Sequence, residues 1–259
     1  VPHDTRSFAA LRAPEIAERI TERSILLQPL GAIEQHGPHL PLNTDSLIAT
    51  AVAEAAVERV GDELDVWLLP TLDYTKSNEH AWSAGTVWMS STTLLAVLDD
   101  LGRCLATTNA RRLVFLNGHG GNSALVNVAN RELRLRYGLM TFLAHPGVPV
   151  DQGGLSGEHE LGMGVHGGHD ETSLMLHLAP HLVRLDLAER RVPDALADNR
   201  YVRFGGQVTF GWLSDDFFPE GYIGDPTTAT AADGARLFEA SVQAFCDALS
   251  EISVFSHGH

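Results

Sequence analysis

Two cysteines in 259 residues, Cys104 and Cys246, stand far apart in sequence, which excludes a disulfide framework and a CxxC zinc ribbon. Cations are scarce as well: 18 Lys and Arg face 33 Asp and Glu, a formal charge of -15. Phosphate backbones and anionic membranes are bound by clustered cations that displace counterions, so neither suits this chain. No apolar run approaches the roughly 20 residues that cross a bilayer. The opening stretch VPHDTRSFAALRAPE has no basic segment followed by an apolar one. Internal repeats and low-complexity tracts are also missing. The expectation is a globular cytoplasmic protein with no nucleic-acid and no membrane partner.

What is present is an alternation of short apolar runs with amphipathic ones. Ile25–Leu30, ended by Pro29 and Gly31, reads as a buried strand, as do Val66–Leu69, Arg112–Leu116 and Leu139–Ala144. Between them, the segment from Ser46 to Val60 places Leu47, Ile48, Ala51, Val52, Ala55 and Ala56 on one helix face. Thr92–Thr108 carries a leucine stripe, and Ser123–Tyr137 follows as a third helix. Glu171–Leu178 fits a helix or a strand, and Asp225-Pro226-Thr227 starts the last helix, continued by Ala231–Ile252. Such alternation predicts an α/β fold of three layers, α/β/α, around a mostly parallel central sheet. We expect a single domain over residues 1–259, with loop-rich excursions near 147–168 and 193–224, the first of them lid-like.

Three clusters of polar residues fall at the ends of these elements. In GAIEQHGPHLPLNTD, Glu34 and His36 are two residues apart and point the same way in an extended segment. Asp45 closes that stretch at the mouth of a helix, where it can cap the helix, bind a cation, or do both. NGHGGN, after the third strand, supplies Asn117, His119 and Asn122, in a loop that also suits a turn or an anion nest. HGGHDETS supplies His166, His169, Asp170 and Glu171. Nothing in the spacing of His39, His159 and His169 selects them as ligands, and they read as solvated or supporting groups. A parallel sheet would bring the three clusters to one rim. Together Glu34, His36, Asp45, His119 and Glu171 give two imidazoles and three carboxylates without a thiolate, a set suited to zinc, manganese or iron. A bridging carboxylate could hold two such ions about 3.5–4 Å apart. Trp82, Trp88, Trp212 and Phe217 are candidates to wall a pocket.

GAIEQHGPHLPLNTD, SNEHAWSAGT, FLNGHGGN, the ETS of HGGHDETS and GDPTTAT occur in that order from about Gln28 to Gly234. Together they resemble the creatininase (creatinine amidohydrolase) family. The resemblance implies a layered α/β/α fold, a centre of two divalent metal ions, hydrolysis of amide C–N bonds, and a homo-oligomer, a hexamer in the family. It also implies a ligand set. Glu34, Asp45 and His119 would hold one metal; His36, Asp45 and a further carboxylate would hold the second, with Asp45 bridging. Creatininase itself carries a glutamate where this chain has Gly121, so Glu171 becomes the further carboxylate and creatinine is not the expected substrate.

The expected chemistry is attack on an amide carbonyl by a water shared between two ions, zinc first, with manganese or iron as alternatives. His166 is the candidate acid for the leaving nitrogen, and Glu171 stands beside it. Glu79 and His80 would line the pocket or orient ligands, as would His169, while Asn117 and Asn122 would lock the loop. Three substrate classes remain open: a cyclic amide, a formamide, and a short peptide. GYIGDPTTATAADGARLFEA resembles the branch that trims the mycofactocin precursor peptide. The alternatives are that peptidase and a catalytically silent metal-binding or regulatory protein.

Overall fold

A computed structural model describes residues 6–147 and 157–258. Four strands, β1 (Ile25–Leu30), β2 (Val66–Leu68), β3 (Arg112–Asn117) and β4 (Met140–Ala144), form one all-parallel sheet in the order β2-β1-β3-β4. The register runs Ile25 beside Val66 and Arg112, and Leu30 beside Asn117. β1 and β3 lie at its centre, buried along nearly their whole length, as expected where both faces of a parallel sheet are covered.

Alternate side chains on those strands feed two cores. Leu26, Leu30, Leu113 and Phe115 pack against Leu94 and Leu98 of α3 (Ser91–Leu105) and Val126 and Leu133 of α4 (Ser123–Tyr137). Ile25, Leu27, Val114 and Leu116 pack on the other face against α2 (Thr44–Leu64) and α6 (Ala231–Val254), through Val52, Ala53, Val242 and Phe245. Full burial of one such side chain is worth about 1.5–3 kcal/mol. The strand period of two therefore drives both layers, and the layered α/β architecture follows from it. A short helix, α1 (Ala13–Arg19), precedes the sheet, and α5 (His169–Leu178) packs against α6.

Among the boundaries that differ from the sequence reading, two are starts at which a capping residue was expected. α6 begins at Ala231, not at Asp225: Asp225 caps a 3-10 turn at Pro226–Thr228, and Thr230 then caps the helix by accepting from the Asp233 amide. α2 begins at Thr44, so Asp45 lies inside its first turn and is not its cap. Residues 148–156 of the first excursion lie outside the described residues. The second, 193–224, is a chain of turns around an aromatic cluster in which Phe204 lies 5.2 Å from Phe210, 5.2 Å from Trp212 and 5.5 Å from Phe217. No helix among the described residues is long and apolar enough to cross a membrane.

Candidate metal centre

The carboxyl ends of β1 and β3 deliver the polar clusters to one place, as parallel sheets do. The loop leaving β1 carries Glu34 and His36, the first turn of α2 carries Asp45, and the loop leaving β3 carries His119. The first turn of α5 adds Glu171, and the bend before it adds His166. β3 exits so close to α2 that a Cβ on Gly118 would stand 2.7 Å from the Asp45 carbonyl oxygen, which only glycine avoids.

Hydrogen bonds fix which nitrogen each imidazole offers. His36 Nδ1 lies 3.1 Å from the Glu34 carbonyl oxygen, which can only accept, so Nδ1 holds the proton. Its Nε2 then faces Asp45 Oδ1 at 3.0 Å and Glu34 Oε1 at 3.9 Å. His119 Nε2 donates to the Lys76 carbonyl at 2.8 Å, so its Nδ1 faces Glu34 Oε2 and Asp45 Oδ2, each at 3.2 Å. With neutral imidazoles, lone pairs would converge on lone pairs. Glu34 Oε1 and Asp45 Oδ2 are buried without a hydrogen-bond partner. Desolvated carboxylate oxygens of that kind need a proton or a cation.

Ligand atoms of Glu34, Asp45 and His119 lie within 4.8 Å of one another, and so do those of His36, Asp45 and Glu171. Asp45 belongs to both groups, one oxygen turned to each imidazole. Glu34, His36 and His166 form a third such group. The donors are nitrogen and carboxylate oxygen only, which fits zinc, manganese or iron.

Electrostatics show the same excess of negative charge. Burial acts to lower the His36 imidazole, but Asp45, Glu171 and Glu34 hold it up at about 10. His119 is raised well above its ordinary value, against its own burial, by Glu34 and Asp45. Burial lifts the Glu171 carboxyl to about 7 against the pull of His36, and Asp45 adds to the rise. Divalent ions would take over the role those protons play. His166 goes the other way: burial and the neighbouring His36 and His80 keep it neutral.

Around this cluster lies a cavity of about 340 Å³. Glu79 and His80, on a 3-10 turn at Asn78–His80, line it, together with Val165, Phe210 and Trp212. Of the four aromatic residues named from sequence only Trp212 lines it; Trp82 and Trp88 are exposed, and Phe217 packs within the aromatic cluster. Asn117 donates to the His119 carbonyl at 2.7 Å, and Asn122 donates to Asn117 Oδ1 at 3.1 Å, locking the loop that aims His119. His169 is not brought to the cluster; it faces Asp170 at 3.1 Å and stacks edge-on with His159. His39 is not solvated. It is buried and lies 3.0 Å from the Gly167 carbonyl oxygen.

Residues 9–249 match the family model described as creatinine amidohydrolase. The chain belongs to the creatininase family. Over 90% of its length it is 38% identical to the mycofactocin precursor peptide peptidase of Mycobacterium ulcerans (strain Agy99), covering 86% of that protein. It is 34% identical to the creatinine amidohydrolase of Pseudomonas putida, over 88% of this chain and 89% of that one. A solved creatininase described as the manganese form superimposes with a TM-score of 0.75 at 30% identity, over 96% of this chain and 99% of that one. The chain is therefore a metal-dependent hydrolase of the creatininase family with buried clusters of His, Glu and Asp.

Three contributors to this creatininase-type site escaped the sequence reading. Ser77 Oγ donates to Glu34 Oε2 at 2.5 Å, the Lys76 carbonyl anchors His119, and Gln35 joins His80 to the bend carrying Gly221. Ser77 and Gln35 lie inside the quoted motifs, SNEHAWSAGT and GAIEQHG, but their residue types carry no signal of their own.

Proposed function

We propose that the chain is a two-metal amidohydrolase that cleaves an amide bond in a short peptide, in the manner of a mycofactocin precursor peptidase. The observation that carries the two-metal reading is Asp45, which presents one oxygen to His36 and the other to His119 within two overlapping ligand groups. Glu34, Asp45 and His119 would hold one ion; His36, Asp45 and Glu171 would hold the other. The peptide is favoured by the 38% identity to peptidases, spread over most of both chains.

Two divalent ions in such a site polarise a carbonyl and acidify water. The protein's own residues do the rest. Glu34 is held in place by Ser77, and Glu171 by the Gly167 amide, which donates to its Oε2 at 2.7 Å. His166 donates from Nε2 to the Gln35 carbonyl at 2.6 Å, which leaves its Nδ1 lone pair facing the site, 3.6 Å from Glu34 Oε1. That nitrogen takes a proton from the attacking water and returns it to the leaving nitrogen, acting first as base and then as acid. A neutral resting His166 is what the first of these steps requires. Val165, Phe210 and Trp212 give the cavity an apolar wall that excludes bulk water from the reacting bond.

The test is a substrate panel run with and without chelator on protein of known metal content. We expect about two ions per chain, cleavage of the mycofactocin precursor peptide, and loss of that activity on chelation. Creatinine hydrolysis without peptide cleavage overturns the peptide reading and favours the cyclic amide, which the 34% identity to a creatinine amidohydrolase supports. Protein that binds both ions and cleaves no lactam, formamide or peptide is the silent metal-binding protein.

A further inference from the structure

His80 is buried, borders the cavity, and is not one of the residues in the overlapping ligand groups. Its ring stacks 4.3 Å from His166, which in turn stacks 4.2 Å from His36. Three imidazoles in a row could each present a donor or an acceptor to a substrate. Gln35 settles which one His80 presents.

The Gln35 amide can sit in only one orientation. Its Oε1 accepts from the Gly37 amide at 2.8 Å, and its Nε2 donates to the Gly221 carbonyl at 2.5 Å. A flipped amide would set a carbonyl against a carbonyl and an N–H against an N–H. With the orientation fixed from both sides, Gln35 Nε2 meets His80 Nδ1 at 2.8 Å as a donor, and His80 Nδ1 must accept. A neutral His80 therefore carries its proton on Nε2.

His80 lines the cavity, and its Nε2 lies 3.4 Å from Glu34 Oε1, yet the N–H is not spent there. The pair makes no hydrogen bond, and Glu34 Oε1 has no hydrogen-bond partner. Glu34 is held instead through its other oxygen, by Ser77. Next to it, His166 donates outward to the Gln35 carbonyl and turns a lone pair inward. The two stacked rings thus present opposite faces to the cavity, an acceptor on His166 and a donor on His80. Both settings come from a single residue, through the backbone carbonyl and the side-chain amide of Gln35.

We infer that His80 is a further catalytic residue, a hydrogen-bond donor fixed by Gln35 and aimed at the oxygen that gains negative charge when the amide carbon becomes tetrahedral. No proton is transferred: the Nε2–H stays on the ring and shortens its bond to the oxygen as charge builds. Removing one such donor costs about 10²–10³-fold in kcat. The inference rests on the hydrolase reading above.

The test pairs His80→Leu, which has no donor, with His80→Gln, whose amide nitrogen can replace the Nε2–H. Each variant is assayed on the amide that the wild type hydrolyses, with metal content measured in parallel. Long-range proton–nitrogen NMR of 15N-histidine protein, in which the His80 signals are those missing from His80→Leu, reads the tautomer directly. Expected results are an Nε2–H tautomer, a kcat about 10²-fold lower in His80→Leu with KM changed only a few-fold, partial recovery in His80→Gln, and unchanged metal content. An Nδ1–H tautomer overturns the inference, as does a His80→Leu that keeps its kcat or loses its metal, the mark of a residue that only braces Glu34. A wild type that hydrolyses no amide overturns the hydrolase reading and this one together, whereas an active wild type with an equally active His80→Leu overturns this one alone.

Discussion

Glu79 occupies the space that a side chain at Gly121 would need. A Cβ built on Gly121 overlaps Glu79 Oε1 and the His119 ring, while Glu79 Oε2 pairs with Lys76 at 2.5 Å. Burial raises the Glu79 carboxyl, but His119 and Lys76 outweigh it and hold the group down at about 2. At the position where the family resemblance implies a glutamate in creatininase, the space beside Gly121 is filled here by the Lys76–Glu79 ion pair. Gly121→Glu alone should lower stability by about 1–3 kcal/mol, the usual cost of overpacking, and should confer no creatinine hydrolysis. Gly121→Glu combined with Glu79→Gly should regain only part of that stability in thermal unfolding, because the His119 ring still stands 2.4 Å from the added Cβ. A single Gly121→Glu variant as stable as the parent would show that the Glu79 side chain yields freely.

Asp45 is the residue both ligand groups share, and the variants should differ in metal count accordingly. His119→Ala removes a donor from one group only, and Glu171→Ala from the other, so each should keep about one ion under conditions that load two on the parent. Asp45→Ala should keep neither firmly. Elemental analysis after gel filtration reads this directly. Equal losses in all three variants would point to a single ion.

Metal binding should release protons. His36 is held at about 10 and Glu171 at about 7, so near neutral pH the first is protonated and the second partly so. Ligand atoms must be deprotonated to bind, and a raised value means that the proton is favoured below it and lost above it. His119, raised well above its ordinary value, adds a further proton, so affinity should rise with pH from about 6 upward, and calorimetry in buffers of different ionisation heats should record about two to three protons released per chain at neutral pH. Affinity that falls as pH rises, or binding without proton release, would contradict this balance.

Ser77 touches no candidate ion, yet its hydroxyl fixes the Glu34 carboxylate at 2.5 Å. Removing a partner that orients a ligand typically costs 10–100-fold in metal affinity or activity. Ser77→Ala should fall in that range in a competition assay with a chromophoric chelator, and Ser77→Thr, which keeps the hydroxyl, should lose less. Unchanged affinity in Ser77→Ala would leave Glu34 positioned by His119 alone.

The sheet and its covering layers were legible because β1 and β3 are continuous apolar runs and α3 keeps its leucines at helical spacing. The convergence of Glu34, His36, Asp45, His119 and Glu171 was legible because carboxylates and histidines at strand ends have few structural reasons to be there. What could not be read is the geometry set by distant partners. Gln35 is oriented by Gly221, 186 residues away, and no local pattern announces that contact. The start of α6 was misplaced for a local reason: Asp225, Pro226 and Thr227 carry a helix-start signature that is used by a 3-10 turn. Phe210 is in the wall of the cavity because the irregular 193–224 segment folds back over the site, and a segment without periodicity gives no register to place it.

His39 reaches Glu171 through the Gly167 peptide. Its Nε2 lies 3.0 Å from the Gly167 carbonyl oxygen and 3.2 Å from Thr172 Oγ1, and the Gly167 amide in turn donates to Glu171 Oε2. Burial pushes His39 down to about 4, despite the pull of the Gly167 carbonyl, so it stays neutral at ordinary pH and the donor is the Nε2–H. Removing it leaves a buried carbonyl unpaired, at a cost of about 1–3 kcal/mol, and frees the bend that aims Glu171. His39→Ala should therefore weaken the ion held by His36, Asp45 and Glu171 while leaving the one held by Glu34, Asp45 and His119 nearly intact. Two-step metal titrations should show the weaker step moving and the tighter one standing still, or the reverse if the Glu171 group binds first. If both steps shift together, His39 supports the fold as a whole and does not act on the Glu171 position.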